Sequence, residues 1–170
     1  MKNLFKSAAL GMIAFICFGV LVSCGTETQE SKDREYCEIV YNALCDNSTQ
    51  PIESLFCEKT KQTHDLEDEI TQAFGFLNGK IVSYERYSVS TNGEKVRNGK
   101  TIESHSSPRI DGLKTDSGKI YDVVINNREV CLKDSSIVGF SQITILEIDP
   151  NDRYAKLNEF KIGEYIEFKE

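Results

Sequence analysis

The side chains best suited to proton transfer near neutral pH are the two histidines, His64 and His105. His105 follows Glu103 by two residues in a predicted strand, so both side chains would point to the same face. This pair predicts either a small polar site for binding or proton transfer, or a solvated strand face. The serines at positions 104, 106 and 107 favour the solvated face, because no alternation of polar and apolar residues marks an inner side.

Signatures of metal and cofactor sites are not found in the sequence. Four acids fall in the first turn of a predicted helix, at positions 65, 67, 68 and 69, where the helix dipole favours negative charge without a metal. No cysteine pair has the Cys-x-x-Cys spacing of a zinc site, and no phosphate loop, dinucleotide fingerprint or nucleophile elbow is present. We therefore predict no metal, no cofactor and no catalytic residue.

Three helices are predicted in the first half of the domain. Apolar residues recur at helical spacing over 33–45. A short second helix begins at Pro51, a residue that suits a first helical turn. A third helix covers about 65–77 and ends at Asn78-Gly79.

The second half predicts strands joined by hairpins. Turn signals occur at Thr91-Asn92-Gly93, at 115–118 and at 149–152. The predicted strands cover 80–90, 101–113, 120–126 (resumed at 130–132), 137–148 and a short 160–168. Helices followed by antiparallel strands predict an α+β fold, with the N-terminal helices packed on a curved antiparallel sheet of about four strands.

The first 23 residues predict an export signal. Lys2 and Lys6 precede an apolar run over 8–22, which is too short for a bilayer span of about 20 residues. The run ends in Leu21-Val22-Ser23-Cys24, which resembles the lipobox of bacterial lipoproteins: an aliphatic residue, a tolerant position, a small residue and a cysteine. The resemblance implies cleavage before Cys24, whose thiol takes a diacylglyceryl group and anchors the protein by acyl chains.

The predicted organisation is a signal peptide over 1–23, a lipidated Cys24 with a flexible polar tether over 24–33, and one domain over 34–170. The expected location is the cell envelope outside the cytoplasm. It is the outer membrane if the source is Gram-negative, because Gly25 is not the aspartate that retains lipoproteins at the inner membrane. Two lysines leave with the signal, so the formal charge of −7 becomes −9, which argues against nucleic acid as a partner.

Four cysteines remain in the predicted domain: Cys37, Cys45, Cys57 and Cys131. An even number in an exported protein permits two disulfides. The first two lie on one predicted helix about 12 Å apart, whereas a disulfide needs Cα atoms within about 7 Å. Two pairings stay open (37 with 57 and 45 with 131, or 37 with 131 and 45 with 57), as does a set of buried free thiols.

The order of the elements resembles the cystatin-like cone of the superfamily of nuclear transport factor two and ketosteroid isomerase. The segments 55–57, 79–84 and 114–121 also look like an uncharacterised family of small bacterial lipoproteins, over residues 35–150. That family has no activity to carry over. The cone resemblance implies a pocket whose polar lining would be Tyr84, Tyr87, Glu103, His105 and Tyr121.

Two classes of function follow from this sequence. The expected one is a membrane-anchored lipoprotein that is not an enzyme and binds a small apolar ligand or an envelope protein. The alternative is a small isomerase- or hydratase-like enzyme, in which His105 or Glu103 is the general base and a tyrosine is the acid inside the cone.

Overall fold

The structure is a computed structural model that describes residues 28–167, except for the side chain of Ser90. The predicted signal peptide and Cys24 therefore lie outside the described residues. The helices come first and are α1 (Gln29–Asp46), α2 (Thr49–Leu55), α3 (Glu58–Thr63) and α4 (Leu66–Phe76). They are followed by β1 (Ile81–Ser83), β2 (Arg86–Arg97), β3 (Lys100–Thr115), β4 (Ile120–Cys131), a 3₁₀ turn (Ser135–Ile137), β5 (Gly139–Asp149) and β6 (Asp152–Gly163).

Helix α1 begins earlier than the sequence predicts. Thr28 is its N-cap, because the Thr28 hydroxyl accepts a hydrogen bond from the Ser31 amide at 3.3 Å. Asp33 is buried, and its carboxylate accepts a hydrogen bond from the Ser106 hydroxyl of β3 at 2.8 Å. Gln29–Asp33 thus belong to a helix and not to the predicted tether.

The predicted helix over 65–77 is confirmed as α4. Asp65 caps it by accepting a hydrogen bond from the Asp68 amide. Asn78 and Gly79 end it with φ angles of 29° and 112°, in the left-handed region that favours such residues after a helix. Its buried stripe of Leu66, Ile70 and Ala73 packs into the core.

The strands form one six-stranded antiparallel sheet in the order β1-β3-β4-β5-β6, and β2 also pairs with β3. Because β4 occupies one side of β3, β1 and β2 share the other side, where β1 pairs near Thr115 and β2 pairs over 100–111. The strand β2 is therefore one edge of the sheet, and β6 is the opposite edge.

The predicted fold class, helices on a sheet of about four strands in a cystatin-like cone, is wrong. The protein is dominated by its six-stranded sheet, and the helices are few and mostly short. The sequence missed the full length of β2 and of β6 because both are edge strands whose side chains are mostly exposed. Such strands lack the alternation of burial on which strand prediction depends.

The hairpin between β2 and β3 turns at Asn98-Gly99 and not at the predicted Thr91-Asn92-Gly93. Both residues have positive φ, 52° and 71°, as a two-residue hairpin turn of the mirror-image type requires. The segment 91–93 lies inside β2, beside a register shift between Val89 and Asn92. The predicted turns at 115–118 and 149–152 are confirmed, since they join β3 to β4 and β5 to β6.

The core between the helices and the sheet is filled by its own side chains. Val40, Ile70, Val123, Ile145 and Tyr121 have no accessible surface, so no water-sized cavity separates them from their neighbours. None of the described helices is both long and apolar enough to cross a membrane.

Candidate functional site

Two of the predicted site residues line a shared polar cleft. This polar cleft has a volume of about 320 Å³. Its lining comes from β2, β3, β4, β5 and the segment after β6, and includes Thr91, Glu103, His105, Ser107, Asn126, Arg128, Ser141 and Tyr165. Ser106 also lines the cleft, and its hydroxyl donates to Asp33 of α1 at 2.8 Å, which links the cleft to the helix.

The His105 imidazole packs against the backbone of the edge strand β2 at Gly93. His105 pairs with Gly93 of β2 and with Arg128 of β4. A Cβ atom at position 93 would lie 2.5 Å from His105 Cε1, so the imidazole occupies the space that the missing side chain leaves. Glycine at this position therefore lets the imidazole lie where it does.

Glu103 and His105 share the cleft without a direct contact. Among the described residues, no hydrogen bond or ion pair joins the two side chains, and His105 is exposed. The arrangement offers a polar ligand a carboxylate and an imidazole.

The floor of the polar cleft is a chain of hydroxyl and amide groups beside a buried arginine. Thr91 donates to the Ser107 hydroxyl at 2.9 Å, and Ser107 donates to the Asn126 side-chain oxygen at 3.4 Å. Arg128 is buried, and its Nη2 donates to the backbone oxygen of Ile166 at 3.3 Å. The segment after β6 thus crosses β5 and closes one side of the cleft.

The three predicted tyrosines are not brought to this cleft. Tyr121 is in the core, where burial raises its pKa to about 12 and its hydroxyl donates to the backbone oxygen of Phe76 at 3.2 Å. Tyr84 and Tyr87 stack with ring centroids 4.5 Å apart, next to Tyr41 of α1. The five residues predicted as one pocket therefore lie in three places: the polar cleft, the core and an aromatic cluster beside α1.

A larger cleft, the α1–β2 groove, lies between the first turns of α1 and the edge strand β2. Its volume is about 720 Å³. It is lined by Thr28, Gln29, Glu30, Ser31, Asp33 and Arg34 of the helix side and by Tyr87, Ser88, Val89 and Asn92 of β2. The sequence analysis missed this groove except for Tyr87, because it took Gln29–Asp33 as a tether.

A network of buried charge lies on the face of the sheet away from α1. Asp111 accepts hydrogen bonds from Ser88 at 2.7 Å and from Arg86 at 3.1 Å, and Arg109 pairs with it at 3.2 Å. Arg109 also donates to Asp122 at 2.9 Å. Although burial raises the pKa of Asp111, the bonds from Ser88 and Arg86 and the charge of Arg109 outweigh it and hold the pKa below its usual value. These carboxylates are satisfied by their own neighbours and hold the strands together.

The four cysteines of the described domain are free thiols, so neither of the two disulfide pairings is formed. The Cys37 thiol donates to the backbone oxygen of Arg109 at 3.5 Å, and burial raises its pKa to about 12. The Cys57 sulfur is 3.2 Å from the Thr60 hydroxyl. Over residues 28–167, no cluster of histidine, cysteine and acidic side chains is arranged to hold a metal ion.

Comparison with known proteins adds one finding. Residues 39–149 match the domain of unknown function DUF5104. No curated protein matches the chain. The match agrees with the resemblance to an uncharacterised family. Because it covers most of the chain, the protein belongs to the DUF5104 family.

Proposed function

We propose that this protein is a lipoprotein of the bacterial cell envelope that binds a partner on its surface and is not an enzyme. The observation that carries the proposal is the complete signal layout at the N-terminus, with two lysines, an apolar run and the lipobox 21–24 in order. In the mature protein, acyl chains on Cys24 hold the domain at the membrane. The membrane is the outer one if the source is Gram-negative.

The short distance between the anchor and the domain supports a fixed placement at the membrane. Only three residues, 25–27, lie between Cys24 and the helix cap Thr28, and the four Cα–Cα steps from Cys24 to Thr28 span at most about 14 Å. The N-terminal end of α1, and the α1–β2 groove beside it, therefore stay close to the lipid surface.

The filled core supports a surface partner over a small apolar ligand. Apolar ligands bind mostly in enclosed apolar cavities, and the fully buried side chains at the centre of the described core line no cavity that admits water. Tyr121 is buried away from His105, so this tyrosine is not the acid that the isomerase alternative needs. An envelope protein that contacts the domain from outside is the partner that this geometry favours.

The anchor is tested by expressing the chain with its own signal in a bacterium that is fed radiolabelled palmitate. We expect the label on the protein and the protein in the membrane fraction. Cys24→Ser should lose both, because the serine hydroxyl does not form the thioether. Cys17→Ser is the matched control, since that residue leaves with the signal, and it should keep both. Label that survives Cys24→Ser would refute the lipid anchor.

A further inference from the structure

The α1–β2 groove has the form of a site for strand addition. We infer that an extended peptide segment of another envelope protein, carrying at least one basic residue, binds in this groove by pairing with the free edge of β2. This inference rests on the proposed function of a surface-binding module and names the chemistry of its partner.

The edge of β2 offers backbone groups that the described domain does not pair. β2 pairs with β3 on one side, and no other strand in the range 28–167 lies along its second side. An edge strand presents unpaired N–H and C=O groups. An extended peptide can hydrogen-bond to them and so add one more strand to the sheet. The segment 87–92 next to the groove has six residues, or about 20 Å of edge, with a register shift against β3 between Val89 and Asn92.

The opposite edge of the sheet shows what a protected strand looks like in this protein. β6 carries Arg153, Lys156, Glu159 and Lys161, and charges of this kind discourage pairing with another chain. The segment 87–92 of β2 carries no charged residue. The rest of β2 does carry charges, at Arg86, Glu94, Lys95 and Arg97. The two edges therefore differ in the length of their uncharged stretches, since charged residues interrupt β6 at every second or third position.

The groove also supplies contacts for the side chains of a bound strand. Val89 is 40% exposed and lines the groove with Tyr87. The Arg34 guanidinium lies 6.0 Å from the centre of the Tyr87 ring and closes the wall on the helix side. Every second side chain of an added strand would point toward this wall, and in strand addition such contacts determine specificity.

The negative charge of the protein favours a basic segment. The lining of the groove holds the exposed Glu30 and one cation, Arg34. The third charged residue of the lining, Asp33, is buried and already accepts hydrogen bonds from Gln29 and Ser106. The whole chain carries a formal charge of −7, so its long-range field attracts the same kind of partner.

The test uses the full-length protein, purified from membranes in detergent, and a displayed library of random seven-residue peptides. We expect enriched peptides with extended-strand composition and one or more basic residues. The best peptide is then remade with one N-methyl amide at a time. Strand addition predicts a period of two, because only alternate N–H groups face β2, and N-methylation there should weaken binding by about tenfold or more.

A pair of variants locates the binding. Val89→Arg fills the groove at an exposed position and adds a positive charge, so it should reduce affinity for the basic peptide by about tenfold or more. Leu157→Arg is the matched control, because Leu157 is an exposed residue of the other edge strand. It should leave the affinity unchanged. Absence of enriched peptides, equal affinity of the two variants, or uniform tolerance of N-methylation would each overturn the inference.

A photoreactive benzoylphenylalanine at position 89 distinguishes the occupants of the groove. Cross-linking to the added peptide supports the inference. Cross-linking instead to a second copy of the protein, or to residues of the same chain that precede Thr28, would overturn it and identify that occupant. The palmitate experiment measures only the lipid attachment at Cys24. It therefore distinguishes a wrong prediction of the lipid anchor from a wrong prediction of peptide binding in the groove.

Discussion

Asp111 shows how one buried carboxylate joins three strands of this sheet. It lies on β3, accepts hydrogen bonds from Arg86 and Ser88 of β2, and pairs with Arg109, which reaches Asp122 of β4. A bulge at the neighbouring Gly112, with φ of 64°, lets the Gly112 amide donate to Asp122 at 2.8 Å. Removal of the charge at Asp111 would leave the arginines without their shared acceptor.

The lowered pKa of Asp111 predicts a pH dependence of stability. A carboxyl whose pKa is lower in the folded state stabilises that state above its unfolded value, near 3.8, and the contribution is lost as pH falls through the folded pKa. We expect Asp111→Asn to lower the free energy of unfolding by about 3 kcal/mol at pH 7, as loss of one partner of a buried pair does. The difference from wild type should shrink as pH falls below 3.8.

Urea unfolding at a series of pH values measures this effect. Asp46→Asn is the control, because Asp46 is exposed at the end of α1, and it should change stability by less than about 0.5 kcal/mol. A difference between Asp111→Asn and wild type that stays constant with pH would mean that the asparagine acts through packing and not through charge.

At the scale of elements, Glu69 joins three parts of the fold that the sequence places far apart. His64 Nδ1, at the end of α3, lies 2.8 Å from Glu69 Oε1 of α4. The other carboxylate oxygen accepts a hydrogen bond from the Gly163 amide at 2.7 Å, at the end of β6. The residue therefore holds two helices against the last strand, at the point from which the chain continues to the polar cleft.

Glu69→Ala should lower the free energy of unfolding by about 2 kcal/mol, because it removes a charged acceptor from two partly buried partners. Glu67→Ala, in the exposed first turn of the same helix, should stay within about 0.5 kcal/mol of wild type. Urea unfolding measures both, and amide exchange at Gly163 should quicken only in Glu69→Ala. Equal losses in the two variants would show that the helix surface, and not the link to β6, sets the cost.

At the scale of the whole molecule, the domain is held by its core and hydrogen bonds without disulfides. Cys37, Cys57 and Cys131 are buried, and Cys45 is partly exposed. The thiols lie where small apolar side chains would serve. The protein is therefore expected to fold to the same structure under reducing and oxidising conditions.

Alkylation of the native protein at pH 8 should modify Cys45 first and leave Cys37 unmodified, because burial raises the pKa of Cys37 to about 12 and excludes the reagent. Mass spectrometry of the alkylated protein gives the order. Protein unfolded in urea without reductant is the control, and all four thiols should then react. A pair that reacts only after reduction would identify a disulfide and contradict the free thiols.

Local patterns in the sequence were sufficient for several features. The helix over 65–77 was predicted from its apolar stripe and its acidic first turn, Asn78-Gly79 predicted its end, and two of the three predicted hairpin turns were confirmed. These features depend on residues within one or two turns of each other, so a short stretch of sequence contains the physics that decides them. The lipobox is also local, and it stays a prediction because Cys24 lies outside the described residues.

Only the tertiary structure decided the six-stranded sheet, the filled core and the two clefts. The edge strands β2 and β6 are stabilised on one side alone and expose most of their side chains, so their sequences resemble loops. The polar cleft gathers residues from five segments, and the α1–β2 groove needs a helix that local periodicity left as a tether. Such sites depend on which strands become neighbours in the sheet. Long-range strand pairing and burial determine that order, and a local pattern of residues does not contain it.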